Sequence, residues 1–478
     1  LTIPRRRRKS KKPSPTKIIS EKPTSDERYI VTLFADIVGC SEISNHKNLR
    51  EYNDFLNDFR DCFKKICNHY MTKEYKKHEH PFFDWEVRGD EGCLKIFTSA
   101  DVDFLPRDID TAINIALDLK RVWLFKKNNE SRILHDGLLP VNLGIGIHAG
   151  KVFINPENTD KYRPEGYAIN LAKRIESESR SGKFAHILIS ETARGQLYRL
   201  RDESTYRFDK PFTIHPKGIT RNIQVFEIKH HFLPTDWKDI PSEVSIIYKD
   251  LDEDKINISS KAYEINPTNL WLSEEHLLLT MLHAYQKLSK EGKEDDSDAI
   301  KEAYSTAHNI ARHIANTEQR DAGLLGILGL ITGEQGNYKE EQKRYEEALG
   351  LDEQDGDIHW YLALSMSDEL FETLEEEQAK GIDIKDFYEK KETRINDIFE
   401  EFERAAELRD TNPWIVYDWA CELSWWSQVD ESMRKKAIDK LIYAFVLNSD
   451  TKDKAKKESY LKPIIEDGRV KKFLQDAK

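Results

Sequence analysis

Beginning at Tyr29, the run YIVTLFAD is β-branched and aromatic until it stops at Asp36, ahead of Ile37, Val38 and Gly39. It predicts a buried strand that delivers an acid to its tip. Leu49, Tyr52, Phe55, Leu56, Phe59, Cys62, Phe63, Ile66 and Cys67 then recur at steps of three and four, which predicts a long helix with one apolar face. Two apolar arms flank Arg88 to Gly92 in FDWEVRGDEGCLKIF, a hairpin with acids near its turn. A second helix is expected over 109–124. Val141, Leu143, Ile145 and Ile147 alternate with Asn142, Gly144, Gly146 and His148, so the next strand has a glycine-rich face open to close approach by another backbone. Ala168, Leu171, Ala172 and Ile175 form an i, i+3, i+4, i+7 stripe after Gly166, which predicts a short amphipathic helix. Asn170 and Arg174 lie four residues apart on a neighbouring face of it. Two further strands are expected over 186–189 and 222–228. The fold class is α+β: a ferredoxin-like, palm-type βαββαβ core with helices on one face of a mainly antiparallel sheet, followed by an all-α domain.

Pro234 and Pro241 mark a linker, and the remainder is helical. Leu325, Leu328, Gly329, Gly336, Tyr338, Tyr345 and Ala348 fall at positions 4, 7, 8, 15, 17, 24 and 27 of a 34-residue helix-turn-helix unit. This resembles a tetratricopeptide (TPR) repeat. Weaker copies follow at Phe402, Ala405 and Pro413, then at Ala437, Leu441 and Ala444, while Glu341 and Glu353 stand where that family has Ala and Pro. A concave side of such an array would bind a peptide or another domain; plain packing helices for the first domain are the alternative. The expected division is a basic tail over 1–25, a first domain over 26–230, a linker over 231–265 and helical repeats over 266–478.

The chain of 478 residues is 38% hydrophobic and 33% charged, which excludes a polytopic membrane protein and a wholly disordered chain. The longest nearly apolar stretch, 322–331, is far short of the ~20 residues that a spanning helix needs. Eight basic residues from Arg5 to Lys17 carry no apolar core after them, so no secretory leader is expected. Without these eight charges the formal net charge of −12 becomes −20, so specific nucleic-acid binding by the body is not expected. Five cysteines with no CxxC pair fit a reduced, cytoplasmic protein.

Asp36 and Asp90 end separate strand signals, and paired carboxylates on a palm-like sheet are what two divalent ions need for phosphoryl transfer. An isolated strand-end Asp is otherwise a turn former. FADIVGCSEIS, EVRGDEG, GIGIHAG, EGYAINLAKRIES and PKGI together resemble, in order, the class III nucleotide cyclase domain over about 28–229. The resemblance implies that Asp36, the backbone carbonyl of Ile37 and Asp90 hold two Mg2+ or Mn2+ ions, and that the loop from Gly39 to Ser41 cradles phosphates. Cys40 and Ser41 depart from the usual Phe and Thr. It further implies that Asn170 orients the ribose, Arg174 stabilises charge on the transferring phosphorus and Lys217 holds the departing pyrophosphate. Since family sites form between two such domains and this chain carries each part once, a homodimer with two shared sites is expected.

The residues that choose the base in this family correspond to Glu86 and Arg163, a pair that matches neither the adenylate nor the guanylate pattern. Glu86 can accept from guanine, uracil or the cytosine amine. Arg163 narrows the pocket toward a smaller ring, unless it simply pairs with Glu165. RGDEG and RPEGYAINLAKRIES, in a chain with a helical C-terminal half, also resemble the bacterial pyrimidine cyclases of Pycsar antiphage systems. That implies UTP or CTP as substrate. The competing readings are an adenylate or guanylate cyclase in ordinary second-messenger signalling, another palm-type nucleotidyl transferase, and a catalytically dead scaffold acting through its repeats.

Overall fold

The computed structural model describes residues 27–74, 82–98, 105–154, 164–197, 206–215, 222–229, 251–293, 297–316, 322–409, 412–448 and 450–475. The first half runs β1 (Glu27–Ile37), α1 (Cys40–His46), α2 (Leu49–Glu74), β2 (Phe82–Arg88), β3 (Glu91–Phe97), α3 (Leu105–Leu124), α4 (Lys127–Leu134) and β4 (Leu143–Ile154). It continues with β5 (Pro164–Glu165), α5 (Tyr167–Glu178), β6 (Ile187–Ser190), α6 (Glu191–Leu197), β7 (Arg207–Phe208), β8 (Phe212–Ile214) and β9 (Ile223–Lys229). The strands order as β2-β3-β1-β4-β6-β9-β7, with β6 parallel to β4 and the βαββαβ core antiparallel. β1 lies centrally in that core, paired along its length with β3 and β4.

Strand alternation divides the core between the two faces of the sheet. Val31, Leu33, Ala35 and Ile37 of β1 join Phe55, Phe59 and Phe63 of α2 and Ile109, Ile113 and Ala116 of α3. Ile30 and Phe34 point the other way and meet Ala168, Ile169 and Ala172 of α5. The expected one-sided sheet is therefore corrected: α2 and α3 cover one face and α5 covers the other. Periodicity shows that a helix has an apolar side, but not which face of a sheet receives it.

The helical half consists of α7 (Glu253–Ile265), α8 (Leu270–Glu291), α9 (Ser297–Ala315), α10 (Ala322–Glu334), α11 (Tyr338–Leu349), α12 (Gly356–Ala379), α13 (Ile384–Leu408), α14 (Pro413–Trp426) and α15 (Ser432–Leu447), with shorter turns after it. α7 starts inside the segment 231–265 expected as linker. Asp252 caps it by accepting from the Lys255 amide, and Ile258 and Ala262 are buried. The pairs α10–α11, α12–α13 and α14–α15 are TPR-like. A Cβ on Gly329 would lie 2.5 Å from the Tyr345 ring, so the glycine and tyrosine of the repeat pattern do meet. Glu341, in the place of a small residue, packs its carboxyl on Gly333 and accepts from Tyr345 Oη (2.9 Å) and Ser365 Oγ (2.7 Å). Among the described residues no helix is long and apolar enough to cross a membrane.

Both halves share one continuous apolar core. Arg121 of α3 ties them together, pairing with Asp118 (3.3 Å) on its own helix and with Glu275 (3.2 Å) on α8, all deeply buried. Removing one partner of such a set strands buried charge. Arg121→Met should lower the unfolding free energy by about 3–5 kcal/mol, read from urea denaturation. A loss below 1 kcal/mol would show that water already reaches this junction.

Candidate active site

Asp36 is the last α5-facing position of β1, and its strand register sets it opposite Glu91 on β3 and Gly144 on β4. Asp90 occupies the β2–β3 turn, which Gly89 makes tight with a left-handed φ of 64°. The Ile37 amide donates to the Asp90 carbonyl (3.3 Å) and the Val38 amide to the Asn142 carbonyl (3.0 Å), so the chain leaving β1 is tied on both sides. Gly39 then turns with φ 75° into α1, whose first amides lack partners within the helix. Burial, and next to it the charge of Asp90, raise the Asp36 carboxyl above its ordinary range, against the pull of Lys173 and Arg180. The two expected acids are thus electrostatic neighbours at one end of the sheet.

α5 reaches this end because glycines on β4 leave room for it. A Cβ on Gly146 would overlap the Glu176 backbone, and one on Gly144 would overlap Ser179 Oγ. With its backbone laid on β4, α5 presents two polar stripes. The inner one carries Lys173, which bonds Glu91 and Glu176 (2.7 Å to the latter), and leads on to Arg180, whose Nη2 lies 3.1 Å from Asp36 Oδ2. The outer one carries Asn170 and Arg174, both exposed. Among the described residues, neither Asn170 nor Arg174 bonds Asp36 or Asp90; both are exposed on α5, beside the stripe that carries Lys173.

Glu86 sits on β2 with its carboxylate held by Arg88 (2.8 Å) and Lys95 (3.3 Å). Burial opposes ionisation there, but Lys95 and then Arg88 prevail and hold Glu86 below the usual carboxylate range, so it is an acceptor. Ser41 lies in the first turn of α1 with its carbonyl accepting from Ser44 Oγ (2.7 Å). Arg163 and Lys217 lie outside the described residues.

Two carboxylates and the Ile37 carbonyl are an all-oxygen donor set, which suits Mg2+ or Mn2+. The nearby sulfur does not compete: burial pushes the Cys40 thiol up to about 11, and its Sγ is 3.2 Å from Tyr52 Oη. Among the described residues no group of three or more His, Cys, Asp or Glu side chains is placed to hold a metal. Mg2+ habitually takes one or two carboxylates and completes its shell with water and substrate phosphate, so this pair fits it.

Residues 23–230 match the family model of the adenylate and guanylate cyclase catalytic domain. The chain therefore carries a class III nucleotide cyclase domain, and its enzyme class is that of a nucleotide cyclase. Solved structures with a related fold include the adenylyl cyclase CyaB from P. aeruginosa, 19% identical, covering 42% of this chain and 94% of that one with a TM-score of 0.33. The guanylyl cyclase Cya2 is 22% identical, with 42% and 92% covered and a TM-score of 0.32. YrrB, described as a TPR protein with an unusual peptide-binding site, is 14% identical, with 44% and 85% covered and a TM-score of 0.27. No curated protein matches the chain.

Reasoning from sequence passed over Lys173, Glu176 and Arg180. Their spacing of three and four residues was a usable signal, because it puts all three on one side of a helix beside the apolar stripe. Gly146→Val should push α5 off β4 and cost about 10²-fold in cyclase activity, as small misplacements of catalytic groups do, with the far-ultraviolet circular dichroism unchanged. Activity within threefold of wild type would mean that α5 need not lie this close.

Proposed function

We propose that this protein converts a nucleoside triphosphate into a 3',5'-cyclic nucleotide and pyrophosphate, in a homodimer whose two sites are each shared between chains. The observation that carries the reading is the placement of Asp36 and Asp90 at one strand end, with Asn170 and Arg174 on the outward face of the helix covering it. Outward-facing transition-state groups are idle in a monomer but suited to a partner's substrate. Two divalent ions, held by Asp36, the Ile37 carbonyl and Asp90, would supply the acidity of the ribose 3'-hydroxyl and neutralise phosphate charge. Asn170 orients the ribose and Arg174 offers its guanidinium to the α-phosphoryl oxygens as the 3'-oxygen attacks and pyrophosphate leaves. The backbone around Gly39 to Ser41 and Lys217 bind the polyphosphate.

The substrate favoured is UTP or CTP. Glu86, kept ionised by Lys95 and Arg88, accepts from uracil N3–H or the cytosine amine, and the bulk of Arg163 disfavours a purine. A cyclic pyrimidine nucleotide fits a signal in antiphage defence, with the TPR-like half as the seat of a protein or peptide partner. Guanine also offers donors to Glu86, so guanylate cyclisation is the competing outcome.

Purified protein given Mn2+ or Mg2+ with each of the four nucleoside triphosphates should release pyrophosphate and a cyclic product of the expected mass, fastest with a pyrimidine. Linear oligonucleotide would identify a palm-type transferase instead, and no product at all would favour a scaffold. Base reading should shift in Glu86→Lys and Arg163→Asp; unchanged preference in both would show that other side chains read the base.

Shared sites make a separate prediction. Equal amounts of Asp36→Ala and Arg174→Ala chains, each inactive, should on mixing recover roughly a quarter of wild-type activity, since half the dimers are mixed and each has one sound site. No recovery from folded chains that exchange subunits would refute sharing.

A further inference from the structure

The segment that follows α5 is anchored more firmly than its exposure suggests. Ser179 is fully buried against Gly144. Beyond it, Glu227 of β9 accepts from the amides of Lys183 (2.6 Å), Phe184 (2.8 Å) and His186 (2.8 Å), and Gly182 packs against the same carboxylate. Between these two anchors, in the turn Ser179–Ser181, stands Arg180. Its backbone is fixed, its side chain is 53% exposed, and among the described residues it pairs with Asp36 Oδ2 at 3.1 Å.

The other cation of the site behaves differently. Lys173 is committed to two carboxylates, Glu91 and Glu176, and is half-buried. Arg180 holds one oxygen from a solvent-facing position and can swing away at little cost. A guanidinium and a divalent ion on the same carboxylate repel one another, so Arg180 on Asp36 Oδ2 opposes the arrival of a metal ion there.

We infer that Arg180 is a built-in counter-cation that holds the Asp36 carboxylate in place before metal arrives, and that divalent ions bind Asp36 in competition with it. The inference rests on the reading of Asp36 as a metal ligand and adds a residue that sets metal affinity. Arg180 is a positioning residue in this scheme: it acts on Asp36 and touches no substrate. Its presence lets Asp36, Asp90, Glu91 and Glu176 crowd together in the metal-free protein with two cations rather than one among them.

The test measures Mn2+ binding to the full chain without nucleotide, by the loss of the free-ion electron paramagnetic resonance signal. Arg180→Gln should bind Mn2+ about two- to fivefold more tightly than wild type, the range that a partly exposed ion pair supports. Arg180→Lys, which keeps the charge, should stay within about twofold of wild type. Arg88→Gln removes a charge from the same sheet without touching Asp36, and equal tightening in that variant would overturn the inference in favour of a general field. Unchanged or weaker binding in Arg180→Gln would also overturn it. Asp36→Asn separates the two levels of the argument. If it binds Mn2+ as wild type does, Asp36 is not a ligand and both readings fall. If it binds weakly while Arg180→Gln is unchanged, only the role of Arg180 is lost.

Discussion

The close approach of α5 to β4 is the constraint on which the rest of the site depends. Gly144 and Gly146 of β4 face the helix, and the space that their missing side chains leave is filled by the Glu176 backbone and by Ser179. That contact sets the height and rotation of α5 over the sheet. Height brings Arg180 within reach of Asp36. Rotation turns Lys173 toward Glu91 and turns Asn170 and Arg174 outward, so one packing decision places basic groups on both sides of a single helix.

The charge distribution follows from that geometry. Four carboxylates, Asp36, Asp90, Glu91 and Glu176, crowd one sheet end, and burial raises the Asp36 and Glu176 carboxyls before any neighbour is counted. Such crowding opposes folding unless cations compensate it. Lys173 and Arg180 do so from the helix, and the two differ in how many partners they hold and how far water reaches them. Protein cations thus stand near the same oxygens that crowd this end of the sheet.

Much of this was legible in the sequence. The strand ending at Asp36, the hairpin around Asp90 and the i, i+4 spacing of Asn170 and Arg174 each follow from local periodicity, and the structure has all three on the expected elements. Gly329 and Tyr345, matched only by their places in a 34-residue unit, pack directly on one another. What stayed hidden depends on contacts between distant elements. The face of the sheet that α5 covers is a matter of connection geometry, and the Arg180–Asp36 pair spans 144 positions. The linker expected over 231–265 rests on Pro234 and Pro241; α7 falls at its end because it packs on α8 and α4, which no local pattern contains.

The junction between the halves shows why the helical array is more than an appendage. The Lys120 amine on α3 is buried and donates to Asn142 Oδ1 (2.6 Å), to the Leu143 carbonyl (3.4 Å) and to the Ala185 carbonyl, while the Trp271 ring of α8 lies 5.1 Å away on its other side. Asn142 in turn holds the Val38 amide, two residues beyond Asp36. Trp271, Lys120, Asn142 and Val38 therefore form an unbroken series of contacts from the first long helix of the array to the loop that leaves the catalytic strand. Beside that series lies a cavity of ≈ 150 Å³ walled by Trp123, Leu139, Pro140 and Trp271. A close-packed interior transmits displacement, and a void lets side chains shift before they push. Lys120 and Arg121 are adjacent on α3, so the Trp271 contact and the buried Arg121–Glu275 pair fix α8 to the same turn of that helix.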